Sequence, residues 1–91
     1  MSEQNPQDAW DKTEDRVSQY EYDRKFGNAK KRDAARKGAG RLFNSLSSDK
    51  QGLEARIATL DKDDSSLPNL RQQIDLILGF MSRLFLVYNP D

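Results

Sequence analysis

Residues 67–88, LPNLRQQIDLILGFMSRLFLVY, decide the fold class. Leu67, Leu70, Ile74, Ile77, Met81, Leu84 and Tyr88 recur at alternating spacings of three and four, the period of an amphipathic helix with a coiled-coil-like heptad seam. Pro68 sits where a helix tolerates it, near the start, and Asn89-Pro90 stops the helix at about Tyr88. Leu76, Leu78, Phe80, Phe85 and Val87 widen the apolar arc to roughly 200° on a wheel of ~100° per residue. Arg71, Gln72, Asp75, Ser82 and Arg83 keep only a narrow polar strip. An arc that broad predicts a central helix with neighbours on two sides.

The neighbours have to come from the preceding sequence. Ser47-Ser48-Asp49-Lys50-Gln51 places Ser48 and Gln51 at capping-box spacing, and Leu53, Ile57 and Leu60 follow at helical spacing. This predicts a separate helix ending near Lys62, the competing reading being one helix over 29–62. Upstream, Ala35, Ala39, Leu42 and Leu46 share one face of a helix over 29–46, with Lys30, Lys37 and Arg41 opposite. Gly38 and Gly40 predict fraying or a bend there, since each lowers helix propensity by about 1 kcal/mol relative to Ala. The first helix is signalled by Asn5 as cap, Pro6 at the first position and Asp8 in the first turn. Gly27-Asn28 marks its end through the left-handed backbone that glycine adopts readily. Its stripe of Trp10, Thr13, Val17 and Tyr20 is thin, enough to dock but too narrow to build a core.

Composition sets the scale. Leu, Ile, Val and Phe supply 19 of the 91 residues, so one domain with a modest core is expected. Residues 1–41 contain only Val17 and Phe26 of these. The expected division is an acidic, separable helical arm over 1–27 and a helical core domain over 28–91. The whole should be all-α, three or four helices packed as a helical hairpin or small bundle, with the C-terminal helix central.

Zero net charge hides three blocks. Residues 1–23 carry seven acids and two bases, residues 24–41 eight bases and one acid, and residues 42–91 seven acids and five bases. The acidic arm can lie against the basic segment, or the basic segment can meet an external polyanion. Lys30, Lys31, Arg32, Arg36, Lys37 and Arg41 are the candidate contacts for such a partner, since nucleic-acid binding begins with phosphate neutralisation. No RNA-binding or zinc-finger signature accompanies them, and Phe26 and Phe43 are too few for a stacking platform.

Cysteine and histidine are both absent, which removes disulfides, thiolate nucleophiles, the usual general base and the commonest metal ligands. An EF-hand loop starting at Asp61 would need Gly at Ser66 and Glu at Gln72, so Asp61, Asp63 and Asp64 predict no metal site. Asp64, Ser65 and Ser66 are expected to cap the last helix instead. No nucleophile elbow or P-loop is present, and the expectation is a protein without catalytic residues or cofactor.

MSEQNPQDAW has neither the basic start nor the apolar run of a targeting signal, and Leu76–Tyr88 is too short to span a bilayer, so a cytoplasmic setting is expected. The arc on the last helix exceeds what the other stretches can cover, so some of Leu76, Phe80, Phe85, Leu86 and Val87 should remain exposed. This predicts a protein-binding or assembly role, as adaptor, inhibitor or oligomeric component, through Leu70, Ile74, Leu76, Ile77, Phe80, Met81, Leu84, Phe85 and Val87. The partner would be another protein or further copies of the chain. The alternative is a small nucleic-acid-binding regulator using residues 24–41.

Overall fold

A computed structural model of the chain describes residues 6–89, with the side chains from residue 10 onward. Three helices account for almost all of it: α1 (Pro6–Phe26), α2 (Ala29–Ala58) and α3 (Leu67–Tyr88). No strand occurs among the described residues. Each helix packs against the other two, and α2 with α3 forms the most extensive pair.

The boundaries follow from local chemistry. At the first turn, Asn28 caps α2 by accepting from the Lys31 N–H at 2.9 Å, and the Gly27 N–H closes α1 on the Asp23 carbonyl, also at 2.9 Å. Gly27 has no positive φ, contrary to the left-handed closure expected of it. Its need is space, because a Cβ there would lie 2.8 Å from that of Lys31. The proposed cap Asn5 and the stop residue Pro90 lie outside the described residues.

The expected break at Ser47-Ser48 does not occur. α2 runs unbroken for 30 residues, so the capping-box reading of Ser48 and Gln51 is corrected. The apolar phase of Leu42, Leu46, Leu53 and Ile57 continues through the serines, and α3 packs along it; tertiary burial outweighs a weak local stop signal. α2 ends at Ala58, not Lys62, where the Thr59 N–H and hydroxyl both donate to the Arg56 carbonyl, at 3.1 and 2.7 Å. Ahead of α3, Asp64 accepts from the Ser66 N–H at 2.8 Å. Ser66 itself makes no side-chain cap bond to the helix.

Gly38 and Gly40 neither fray nor interrupt α2. Their bare backbone admits two aromatic rings, Tyr20 of α1 at Gly38 and Tyr88 of α3 at Gly40. The propensity lost at these glycines is offset by that close packing.

The core joins Val17 of α1, Ala35, Ala39, Leu42 and Leu46 of α2, and Ile77, Phe80, Leu84 and Val87 of α3. Trp10, Tyr20, Phe43, Leu53 and Met81 pack around it. The thin stripe of α1 therefore docks on the α2–α3 pair, with the Trp10 ring stacked on Phe80 at 5.9 Å between centroids. Trp10 beside Phe80, and Glu14 beside Arg83, show that α1 and α3 run parallel, with α2 antiparallel to both. The molecule is flat, 50 × 33 × 15 Å, with a radius of gyration of 15.4 Å against about 12 Å for a compact domain of this length.

Glycines at packed and open helix positions should respond oppositely to alanine. A Cβ at Gly52 or Gly79 meets nothing within 4 Å, so Gly52→Ala and Gly79→Ala should each stabilise the chain by about 1 kcal/mol. A Cβ at Gly38 would lie 2.7–2.9 Å from the Tyr20 ring, so Gly38→Ala should cost about 1–3 kcal/mol through overpacking. Urea unfolding of the three variants checks the contrast.

Candidate functional site

The apolar arc of α3 is divided between its neighbours. Leu67, Leu70, Ile77, Phe80, Leu84 and Val87 are buried, Ile74 and Met81 are half-buried, and Leu76, Leu78, Phe85, Leu86 and Tyr88 are exposed. Phe80 and Val87 were expected to stay available on the outer flank, and this is corrected: Phe80 is 7% and Val87 3% exposed. The reason is α1, which lies against that flank. Leu76, Phe85 and Leu86 do remain exposed, as expected.

The open flank is the opposite one. Two adjoining clefts occupy it, one of about 340 Å³ lined by Gly40, Phe43, Asn44, Phe85 and Tyr88, and one of about 460 Å³ lined by Phe43, Leu78, Met81, Ser82, Phe85 and Leu86. Phe43 and Phe85 belong to both, so together they form one groove between α2 and α3. No charged side chain lines it. The i, i+7 and i, i+8 spacing of Leu78 with Phe85 and Leu86 was visible in sequence; that Phe43 of α2 joins them was not.

A clamp of opposite character secures the α1 flank. Arg83, placed in the polar strip by sequence, reaches across to α1, where its Nη1 donates to Glu14 at 2.9 Å and its Nε to Glu21 at 3.1 Å. Ser18 accepts from Nη2 at 3.3 Å and donates to Glu14 at 2.7 Å. Hydrogen bonds from Arg83 and then Ser18 hold the Glu14 carboxyl below its ordinary value, and the two carboxylates push the Arg83 guanidinium further up. The acidic arm thus finds its cross-helix partner in α3 rather than in the basic segment.

The basic segment does not form one ridge. Lys30, Lys37 and Arg41 share one face of α2, and Lys37 pairs with Asp33 at 3.2 Å. Arg32 and Arg36 occupy another face, beside Arg24 of α1, and Lys31 falls between the two groups. Arg36 donates from Nε to the Tyr88 carbonyl at 3.3 Å and lies over the Tyr88 ring. Tyr22 and Phe26 make an exposed aromatic pair on α1, 5.0 Å between centroids, with the Lys25 ammonium over Phe26. Their i, i+4 spacing is the sequence signal for this pair, which lies off the Trp10–Tyr20 stripe.

Among the described residues no group of three acidic side chains could hold a metal ion, and no helix is long and apolar enough to cross a membrane. Compared with known protein families, curated proteins and solved structures, the chain matches none.

The clamp sets a pH dependence. Because the folded-state pKa of Glu14 is depressed, its stabilisation is fully present above the unfolded value, near 4.5, and is lost as pH falls through the folded value. Arg83→Gln should cost about 1 kcal/mol at neutral pH, the scale of a half-exposed ion pair. It should also flatten the stability loss on acidification below pH 4.5 relative to wild type. Denaturant midpoints of both chains across that pH range check it.

Proposed function

We propose that this chain is a cytoplasmic assembly protein that associates through the open α2–α3 groove, with α3 as its central helix and a second copy of the chain as its partner. One observation carries the reading: a continuous, uncharged groove bearing Leu78, Phe85 and Leu86, with Phe85 53% and Leu86 64% exposed. The helix that lines the groove also presents the apolar stripe such a groove receives. A two-fold arrangement therefore satisfies both copies with the same residues.

The magnitude fixes the strength. Leu78, Phe85, Leu86 and Tyr88 are each about half exposed, giving about 400 Å² of side-chain surface per chain if each offers roughly 200 Å² in full. Two copies bury about 800 Å² from these four side chains alone, and the groove residues they cover bring the total toward the ~1,200 Å² lower end of specific interfaces. Association is consequently weak and concentration-dependent. Sedimentation equilibrium over a concentration series should show reversible dimers, and Leu78→Ser with Phe85→Ser should give monomers with an unchanged helical circular dichroism signal. A wild-type chain that stays monomeric throughout, or a double variant that unfolds, refutes the proposal.

A second reading, a regulator that binds nucleic acid, is supported by the exposed stripe of Lys30, Lys37 and Arg41 at spacings of seven and four. Changing all three to Gln should weaken binding to duplex DNA and flatten its salt dependence. An unaltered affinity eliminates this reading.

A further inference from the structure

We infer that the cleft where the end of α1 meets the start of α2 is an oxyanion site, built by Arg24, Arg32 and Arg36 to take a single phosphate-type group. The cleft has a volume of about 340 Å³ and is lined by these three arginines with Ala29 and Asp33. Arg32 and Arg36 lie one turn apart on α2, and the tight Gly27-Asn28 connection brings Arg24 of α1 up to them.

The arrangement differs from an ordinary solvated basic face in three respects. Among the described residues none of the three arginines is in an ion pair, and Asp33, the one carboxylate of the lining, is engaged by Lys37 at 3.2 Å. The Nε of Arg24 is shut off from water and has no hydrogen-bond partner, a condition rare in folded chains, while Arg24 also lines the cleft. Arg36 is held in place by the Tyr88 carbonyl and ring, and this uses only one of its five donors.

Guanidinium groups converging on one cleft suit the planar, paired acceptors of a phosphate oxyanion. The cleft takes one phosphate rather than a polyanion backbone, because Lys30, Lys37 and Arg41 lie on another face and cannot extend the track. With no histidine in the chain, protein charge here is constant around neutrality. Affinity should follow the ligand's own second ionisation, near pH ~6 for a phosphate monoester.

The test is nuclear magnetic resonance of the full chain titrated with inorganic phosphate, with O-phosphoserine, and with a short single-stranded DNA at equal phosphate concentration, each against chloride of matched ionic strength. Inorganic phosphate should give saturable shifts of the Arg24, Arg32 and Arg36 Nε–H signals and of the amides from Ala29 to Asp33. Tighter binding of inorganic phosphate than of O-phosphoserine identifies the free ion as the ligand, and the reverse order identifies a monoester on a larger molecule. Arg32→Gln, at an exposed position, should weaken binding about tenfold, the effect of losing one charge-assisted contact. Arg24→Gln should do the same, with helical circular dichroism confirming the fold of both. The triple change of Lys30, Lys37 and Arg41 to Gln should leave phosphate binding unaltered. Shifts that do not saturate, that chloride reproduces, or that the triple change reduces as much as Arg32→Gln does, would overturn the assignment. So would DNA binding tighter than phosphate with shifts spread over Lys30, Lys37 and Arg41. Repeating the phosphate titration on the Leu78→Ser, Phe85→Ser variant separates phosphate binding from dimerisation, since neither residue lines the cleft.

Discussion

Burial of the α3 face that carries Ile77, Phe80, Leu84 and Val87 against α2 is the most extensive interaction of the fold, and α1 docks on the pair it makes. Ile77 and Leu84 are completely enclosed, by Ala35, Ala39, Leu42 and Leu46 on one side and by Val17 and Trp10 on the other. α1 is polar around most of its circumference, and a helix of that kind has little stability apart from docking. α2 carries Gly38 and Gly40 near its middle and Ser45, Ser47 and Ser48 beyond them, yet it stays continuous because α3 covers it. Removing the α3 face would uncover α2 and leave α1 with one of its two neighbours.

Legibility varied with the kind of signal. Both ends of α3 could be read because periodicity, Pro68 and Asn89-Pro90 agree, and consistency across levels is what makes a segment specify its structure. The ends of α1 were similarly marked by Pro6 and Gly27. Ser47-Ser48 misled because a capping pattern is local, whereas the apolar phase from Leu42 to Ile57 acts over the length of a partner helix. For the candidate site, a helical wheel gave the width of the apolar arc but not which flank a neighbour would cover. Periodicity alone therefore does not tell the covered Phe80 and Val87 from the exposed Leu78. Features that join distant elements, such as the groove lined by Phe43 and Phe85 or the bond from Arg83 to Glu14, have no local pattern to betray them.

The charge blocks acquire a reason from helix direction. With α1 and α3 parallel and α2 reversed, the negative dipole ends of α1 and α3 meet the positive end of α2 at one pole. The basic segment of the sequence coincides with that pole. Arg36 on the Tyr88 carbonyl shows part of its work, satisfying a terminal acceptor of α3. Arginines beyond that need have no internal acceptor, and this surplus separates Arg24 and Arg32 from structural cations. The acidic arm, by contrast, has its cross-helix ion pairs with a single side chain, Arg83.

Parallel packing of α1 on α3 also bears on how the chain closes. α1 is joined to α2 by two residues and α2 to α3 by eight, so both antiparallel pairs form from near neighbours. The hydrogen bonds from Arg83 to α1 span 62, 65 and 69 residues. Closing so long a loop carries an entropic cost that is small only once α2 already holds the two ends near each other. On this entropic ground the α1–α3 seam is expected to form last and open first, so amide hydrogens of α1 should exchange with solvent by local opening, ahead of those in the α2–α3 pair.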